Sequence, residues 1–362
     1  MKLIHFIFVI ICALAVTIDP AVGEDQNPRI GVITFLSGPN ATIGTAIRNG
    51  IELARHQRPE LLQMIDFQYE DDQGDPKLDI SAYRKLTNGR GIDILFGIGP
   101  AMVNVLWPYV ERDKVPFINF NFEASSVVGK PLVVRAMNHT GQYQQALASY
   151  LINRERSGDY PVVVGEHPFL QAMSRSLTDA LGRQYPVREV ATVLPTETDF
   201  RALILKIRTY RDKPVGLFLF PDSLIAFLKQ ARGLGFKASY FGTDLCESAA
   251  KQAGDTSLLE GCVYPDNEAS EAFRSDYRRK YGNEAQLAFA GSAYDMAVLM
   301  GEVLQQGRGI KGAGVIDALR KVSRHRGVLG DFSFTSNEST GSFFEYPIHV
   351  KRIENGRGVV VD

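Results

Sequence analysis

The chain has 362 residues, 45% of them hydrophobic, and a formal net charge of -1 at pH 7. That length exceeds a single domain of roughly 100–200 residues. The near-neutral balance excludes the strongly basic face that nucleic-acid binding requires.

Met1-Lys2 is a short basic start, and Leu3 to Val16 is a run free of acid, Lys and Arg that includes His5. The run is shorter than the ~20 apolar residues of a membrane span. Ala21-Val22-Gly23 then fits a small-x-small cleavage site, so residues 1–23 read as an export signal cut after Gly23. Bulky Ile11 before Cys12 argues against lipid attachment.

Arg29–Phe35 reads as a strand and Gly44–Arg55 as a helix, with Ile43, Ala46, Ile47, Gly50, Ile51 and Ala54 at helical spacing. Ile65–Tyr69 alternates like a half-buried strand. Glu70 to Gly74 turns, and Asp75-Pro76 supplies an N-cap with proline at the first helical position. Ile92–Ile98 and Val115–Phe120 are strands flanking a helix at Met102–Asp113.

After Arg135 the rhythm restarts. Strands are expected at Val162–Val164, Arg188–Val193, Val215–Phe220, Ser239–Gly242 and Gly261–Tyr264. Helices are expected at Gln171–Gln184, Phe200–Tyr210, Asp222–Leu234, Ser270–Tyr281, Leu287–Gln305 and Ala313–Ser323. Phe332 to Val361 is β-rich. Repeated strand–helix–strand units imply α/β architecture with doubly wound parallel sheets, and the length favours two of them.

The motifs of catalysis are missing. Gly38 and Gly44 are followed by Thr45 without the lysine of a phosphate loop, and Gly97-Ile98-Gly99 has Met102 in the third glycine slot of a dinucleotide fingerprint. There is no GxSxG or HExxH. The histidines His56, His139, His167, His325 and His349 are scattered, and Glu70-Asp71-Asp72 lacks calcium-loop spacing. No metal, cofactor or catalytic set is expected. Cys246 and Cys262 remain after cleavage, outside any metal-type pattern. A bridge between them and two separate buried thiols both stay open. Asn40, Asn138 and Asn337 head N-x-S/T triplets.

Gly31, Leu36-Ser37-Gly38-Pro39, Gly44, Gly50 and Ala54 resemble the opening of type I periplasmic binding proteins of the branched-chain amino acid class. The similarity runs on through Asp71 to Pro76, Lys85-Leu86, Ile94 to Gly97 and Val115 to Ile118. It continues through Thr198-Asp199-Phe200, Gln230-Ala231-Arg232 with Gly235, and Tyr240-Phe241-Gly242.

The resemblance implies two doubly wound lobes joined by three crossings. Lobe one would take residues 24–139 plus 264–336, and lobe two 140–263 plus 337–362. It implies a periplasmic, monomeric, non-enzymatic component of an ABC importer. Such a protein captures a small polar solute, an amino acid or related amine, amide or organic acid, by hinge closure and presents it to the permease subunits. A sensing receptor of the same fold is the alternative, and an exported enzyme a more distant one. By the same resemblance, ligand positions fall at Ser37 and Ile43 after the first strand. They continue at Gly99, Pro100 and Ala101 after the third, and at Asn119, Asn121 and Glu123 after the fourth. In lobe two they fall at Phe169, Phe220 and Asp244. Asp244 matches the acid that pairs with a ligand ammonium. The hydroxyls that relatives use for a ligand carboxylate are absent at Gly99-Pro100-Ala101.

Overall fold

The computed structural model describes residues 27–154, 159–307 and 309–362. The export signal and its cleavage site lie outside those residues. The first sheet is built from β1 (Arg29–Thr34), β2 (Asp66–Asp71), β3 (Ile94–Ile98), β4 (Phe117–Phe120) and β5 (Val133–Arg135), all parallel. The chain then leaves it. The second sheet takes β6 (Tyr160–Gly165), β7 (Val187–Val193), β8 (Val215–Phe218), β9 (Tyr240–Gly242) and β10 (Val263–Asp266), again parallel. The chain returns to add β11 (His325–Gly327), β12 (Gly330–Asn337) and β13 (Gly341–Glu345) to the first sheet. It ends with β14 (His349–Glu354) and β15 (Arg357–Val360) in the second. The orders are β11-β12-β13-β5-β4-β3-β1-β2 and β15-β14-β10-β9-β8-β6-β7.

These are two α/β lobes, each a mostly parallel sheet covered by helices. The near-continuous burial of β3, β4, β5 and β6 is what two covered faces require. In β6 the alternation sorts the faces. Val162 and Val164 pack toward helices Thr140–Arg154 and Pro168–Leu181, while Val163 joins the core under helix Pro221–Gly233. In lobe one, helix Leu287–Gln306 is apolar nearly all round because it lies between the sheet and helix Ala41–Gln57.

Sheet membership moves two of the expected crossings. Residues 264–266 belong to β10, which pairs with β9 and β14, so they lie in the second sheet rather than the first. Residues 341–345 form β13, which pairs with β12 and β5 in the first sheet rather than the second. Hydrogen-bonded pairing decides this, and a β-rich stretch of sequence does not say which sheet it joins. The chain crosses after β5, at Asn267, and between β13 and β14.

The crossings are tied together by buried amides. Asn138 donates to the Tyr346 carbonyl (3.1 Å) and accepts from the Tyr346 N–H (3.3 Å). Asn267 donates to the Pro347 carbonyl (2.7 Å) and to Asn138 Oδ1 (3.4 Å), and accepts from the Tyr143 hydroxyl at 2.5 Å. Arg135, fully buried, donates to the Met137 carbonyl (2.9 Å) and stacks on Phe343, 4.6 Å to the ring centre. At 1% exposure Asn138 is part of this knot, not a surface glycan acceptor.

Candidate functional site

The C-terminal ends of parallel strands bring loops from both lobes to one cleft, the usual place for a ligand in open α/β sheets. A cavity of ≈ 690 Å³, its open mouth included, lies there. Lobe one contributes Phe122 from the loop after β4 and residues 286–289 at the start of helix Leu287–Gln306. The second lobe contributes Tyr143, Met173, Asp244, Glu247 and Lys251, and the second crossing adds Asp266 and Asn267.

Aromatic rings form its apolar wall. Phe122 lies edge-on to Tyr143 (5.7 Å between ring centres) and to Phe289 (5.4 Å), and tilts toward Phe169 at 6.2 Å. Phe122 and Phe289 stand on lobe one, Tyr143 and Phe169 on lobe two. The ring cluster therefore joins the lobes, at spacings where aromatic pairs attract.

The charges of the wall are nearly all matched. Lys251 pairs with Glu247 at 2.8 Å. Lys351 lies 3.2 Å from Asp266 and 2.7 Å from Glu268. Arg274 lies 2.6 Å from Glu268 and 3.6 Å from Glu284. Burial opposes the Lys351 ammonium, but Asp266 and Glu268 outweigh it and hold its pKa above the ordinary value. Burial also opposes ionised Glu247, yet Lys251 and the Tyr264 hydroxyl outweigh it, pulling that carboxyl down to about 2.

Asp244 is different. Among the described residues it makes no ion pair, although it lines the cavity. Burial first, and the neighbouring Asp266 second, push its pKa up to about 7. A carboxyl in that setting gains from any cation placed against it.

The other expected positions spread along the cleft. Ser37 is exposed and donates to Asp71 at 2.6 Å; Ile43 is half-buried against the lobe-one core. Gly99, at φ 86, precedes helix Pro100–Asp113, so Pro100 and Ala101 form its first turn. Asn119 is fully buried and accepts from Asn121 at 2.5 Å. Asn121 in turn accepts from the Glu123 N–H (2.7 Å) and the Ser126 hydroxyl (3.2 Å), so these two asparagines shape the loop after β4. Glu123 is exposed and accepts from Ser125 at 2.6 Å. Phe220 stacks edge-on against His167 at 5.0 Å. The structure thus brings Asp244 to the cavity wall and Phe169 to the ring cluster. Phe122, Tyr143, Phe289 and Asn267 escaped the sequence reading. Phe122 sits between Asn121 and Glu123, two of the expected ligand positions, while Tyr143 and Asn267 flank crossings that no local periodicity marks.

Residues 28–356 match the sequence model of a family described as periplasmic binding protein. The chain is 24% identical over 210 residues to "Leu/Ile/Val-binding protein homolog 3" of Brucella melitensis, covering 54% of this chain and 55% of that protein, so it spans about half of that relative's length. Among solved structures it is similar to the branched-chain amino acid transporter substrate-binding protein LivJ of Streptococcus pneumoniae in complex with isoleucine. The TM-score there is 0.75 at 18% identity, covering 92% of this chain and 98% of that one. It is similar as well to an ABC transporter solute-binding protein of R. palustris in complex with benzoate, with a TM-score of 0.74 at 17% identity over 92% and 95% of the two chains.

Proposed function

The chain belongs to the periplasmic binding protein family, a family of non-catalytic binding proteins, and on that premise we propose that it is the extracytoplasmic solute-binding component of an ABC importer. It captures a small organic solute between its lobes and hands it on unchanged to the permease subunits. The solute carries an ammonium group and an apolar body, as in an amino acid or a related amine. The observation that carries this reading is Asp244, the cavity carboxylate without a cation, beside the Phe122, Tyr143 and Phe289 rings.

The energetics follow from burial. An unpaired carboxylate in a shut cleft is costly, and a charge-assisted hydrogen bond to an ammonium offsets that cost. Aromatic faces add cation–π attraction and apolar contact. The closed form is therefore favoured when the solute supplies the missing cation, which is a differential affinity able to move a hinge. Isoleucine, held by one structural neighbour, carries such an ammonium; benzoate, held by another, does not.

The test is native mass spectrometry of the purified protein, then a thermal-shift panel of amino acids, amines, amides and aromatic acids. Compounds with an ammonium should raise the unfolding midpoint, be recovered unaltered, and lose about 100-fold in affinity with Asp244→Ala. A panel answered only by aromatic acids, or full affinity in the variant, would remove the ammonium from the account.

A further inference from the structure

Cys246 is the second residue of helix Leu245–Gln252, two positions beyond Asp244, and Cys262 immediately precedes β10. Of the two alternatives left open by the sequence, the structure shows two free thiols, both on residues that are 1% exposed. The Cys262 thiol donates to the Cys246 sulfur, with 3.1 Å between the two Sγ atoms. That is about 1 Å from the length of a disulfide bond. Gly242, at the end of β9, makes room for the Cys246 sulfur, which a Cβ at that position would meet at 2.9 Å.

We propose that the exported chain carries a Cys246–Cys262 disulfide that fastens the Asp244 helix to the strand leading into the second crossing. The proposal rests on the export reading for its oxidising compartment. A thiolate of one cysteine attacks a disulfide-type oxidant, and the second cysteine resolves the mixed disulfide. One S–S bond forms, and both electrons and both protons leave with the oxidant as a dithiol. Since both sulfurs are buried in the finished fold, exchange takes place on the folding chain, before the helix Leu245–Gln252 docks. The bridge closes a loop between positions 16 apart. Asp244 lies two residues before one end of that loop, and β10 continues from the other end to Asp266 and Asn267, so the crosslink holds the cavity's acidic wall against the hinge.

Intact mass after export with the natural leader is the first test, with free thiols alkylated in denaturant at lysis. The expected mature chain is two hydrogens lighter than its reduced form and takes no alkyl group; two alkylated thiols would overturn the proposal. Reduction should lower the unfolding midpoint by about 5–10 °C and leave the Cys246→Ala/Cys262→Ala double variant where it was. Equal shifts in both proteins, or none in either, would also overturn it. A bridged protein that answers to no solute would count against capture and leave the bridge standing; an unbridged protein that binds would do the reverse.

Discussion

At the scale of single residues, the proposed pairing of Asp244 with a ligand ammonium makes binding depend on pH. Its carboxyl titrates near 7 because burial and Asp266 disfavour the charge. An ammonium ligand binds only the ionised form, whereas the ligand itself stays protonated until far higher pH. Below about pH 7 each pH unit should therefore cost close to tenfold in affinity, with a plateau above it. For the empty protein the sign is the reverse. The folded state holds the Asp244 proton up to about 7 and the unfolded state releases it near the ordinary carboxylate value, so this group's contribution to stability falls as pH rises through that window. Calorimetric titration between about pH 5.5 and 8.5 measures the first effect. Asp244→Asn should flatten the curve and lower the plateau; an equally steep curve in the variant would place the titrating group elsewhere.

At the scale of elements, a close helix contact in lobe one depends on a missing side chain. A Cβ on Gly50 would lie 2.0 Å from the Ala290 carbonyl oxygen, so helices Ala41–Gln57 and Leu287–Gln306 approach backbone to backbone there. Gly50→Ala must push them apart and should destabilise by about 3 kcal/mol or more, read as a lower urea midpoint. An unchanged midpoint would mean that the helices can shift freely. This helix was visible in the sequence because Ile43, Ala46, Ile47, Ile51 and Ala54 repeat at its period. So was the strand–helix alternation of both lobes, and Asp244, expected from its family slot, lines the cavity. What escaped was non-local. Whether 264–266 and 341–345 join one sheet or the other depends on partners far along the chain. Tyr143 and Asn267 meet across 124 positions. Asn119 and Asn121 have the residue type of ligand-binding groups, and only the fold reveals that their amides hold each other and the loop after β4.

At the scale of the whole molecule, the two lobes are separate cores, so under the proposed hinge closure the energy that governs opening would be concentrated in the crossings and the ring cluster. Asn138 and Asn267 link all three crossings through buried hydrogen bonds. Asn138 is the cleaner probe because, unlike Asn267, it does not line the cavity. Truncating it leaves the Tyr346 N–H and carbonyl without that partner, at about 1–3 kcal/mol for each buried group left unsatisfied. Asn138→Ala should therefore lower stability by about 2–4 kcal/mol in urea unfolding. If the knot also sets how readily the lobes close, every ligand must meet the same change in the fraction of closure-competent molecules. Affinities across the panel should then shift by a common factor with their rank order preserved. Asp244→Asn, in contrast, should reorder the panel by penalising ammonium compounds alone. A change of rank in Asn138→Ala would mean that the crossing shapes the cavity itself. Lost stability with every affinity untouched would mean that the knot holds the lobes together and does not govern their closure.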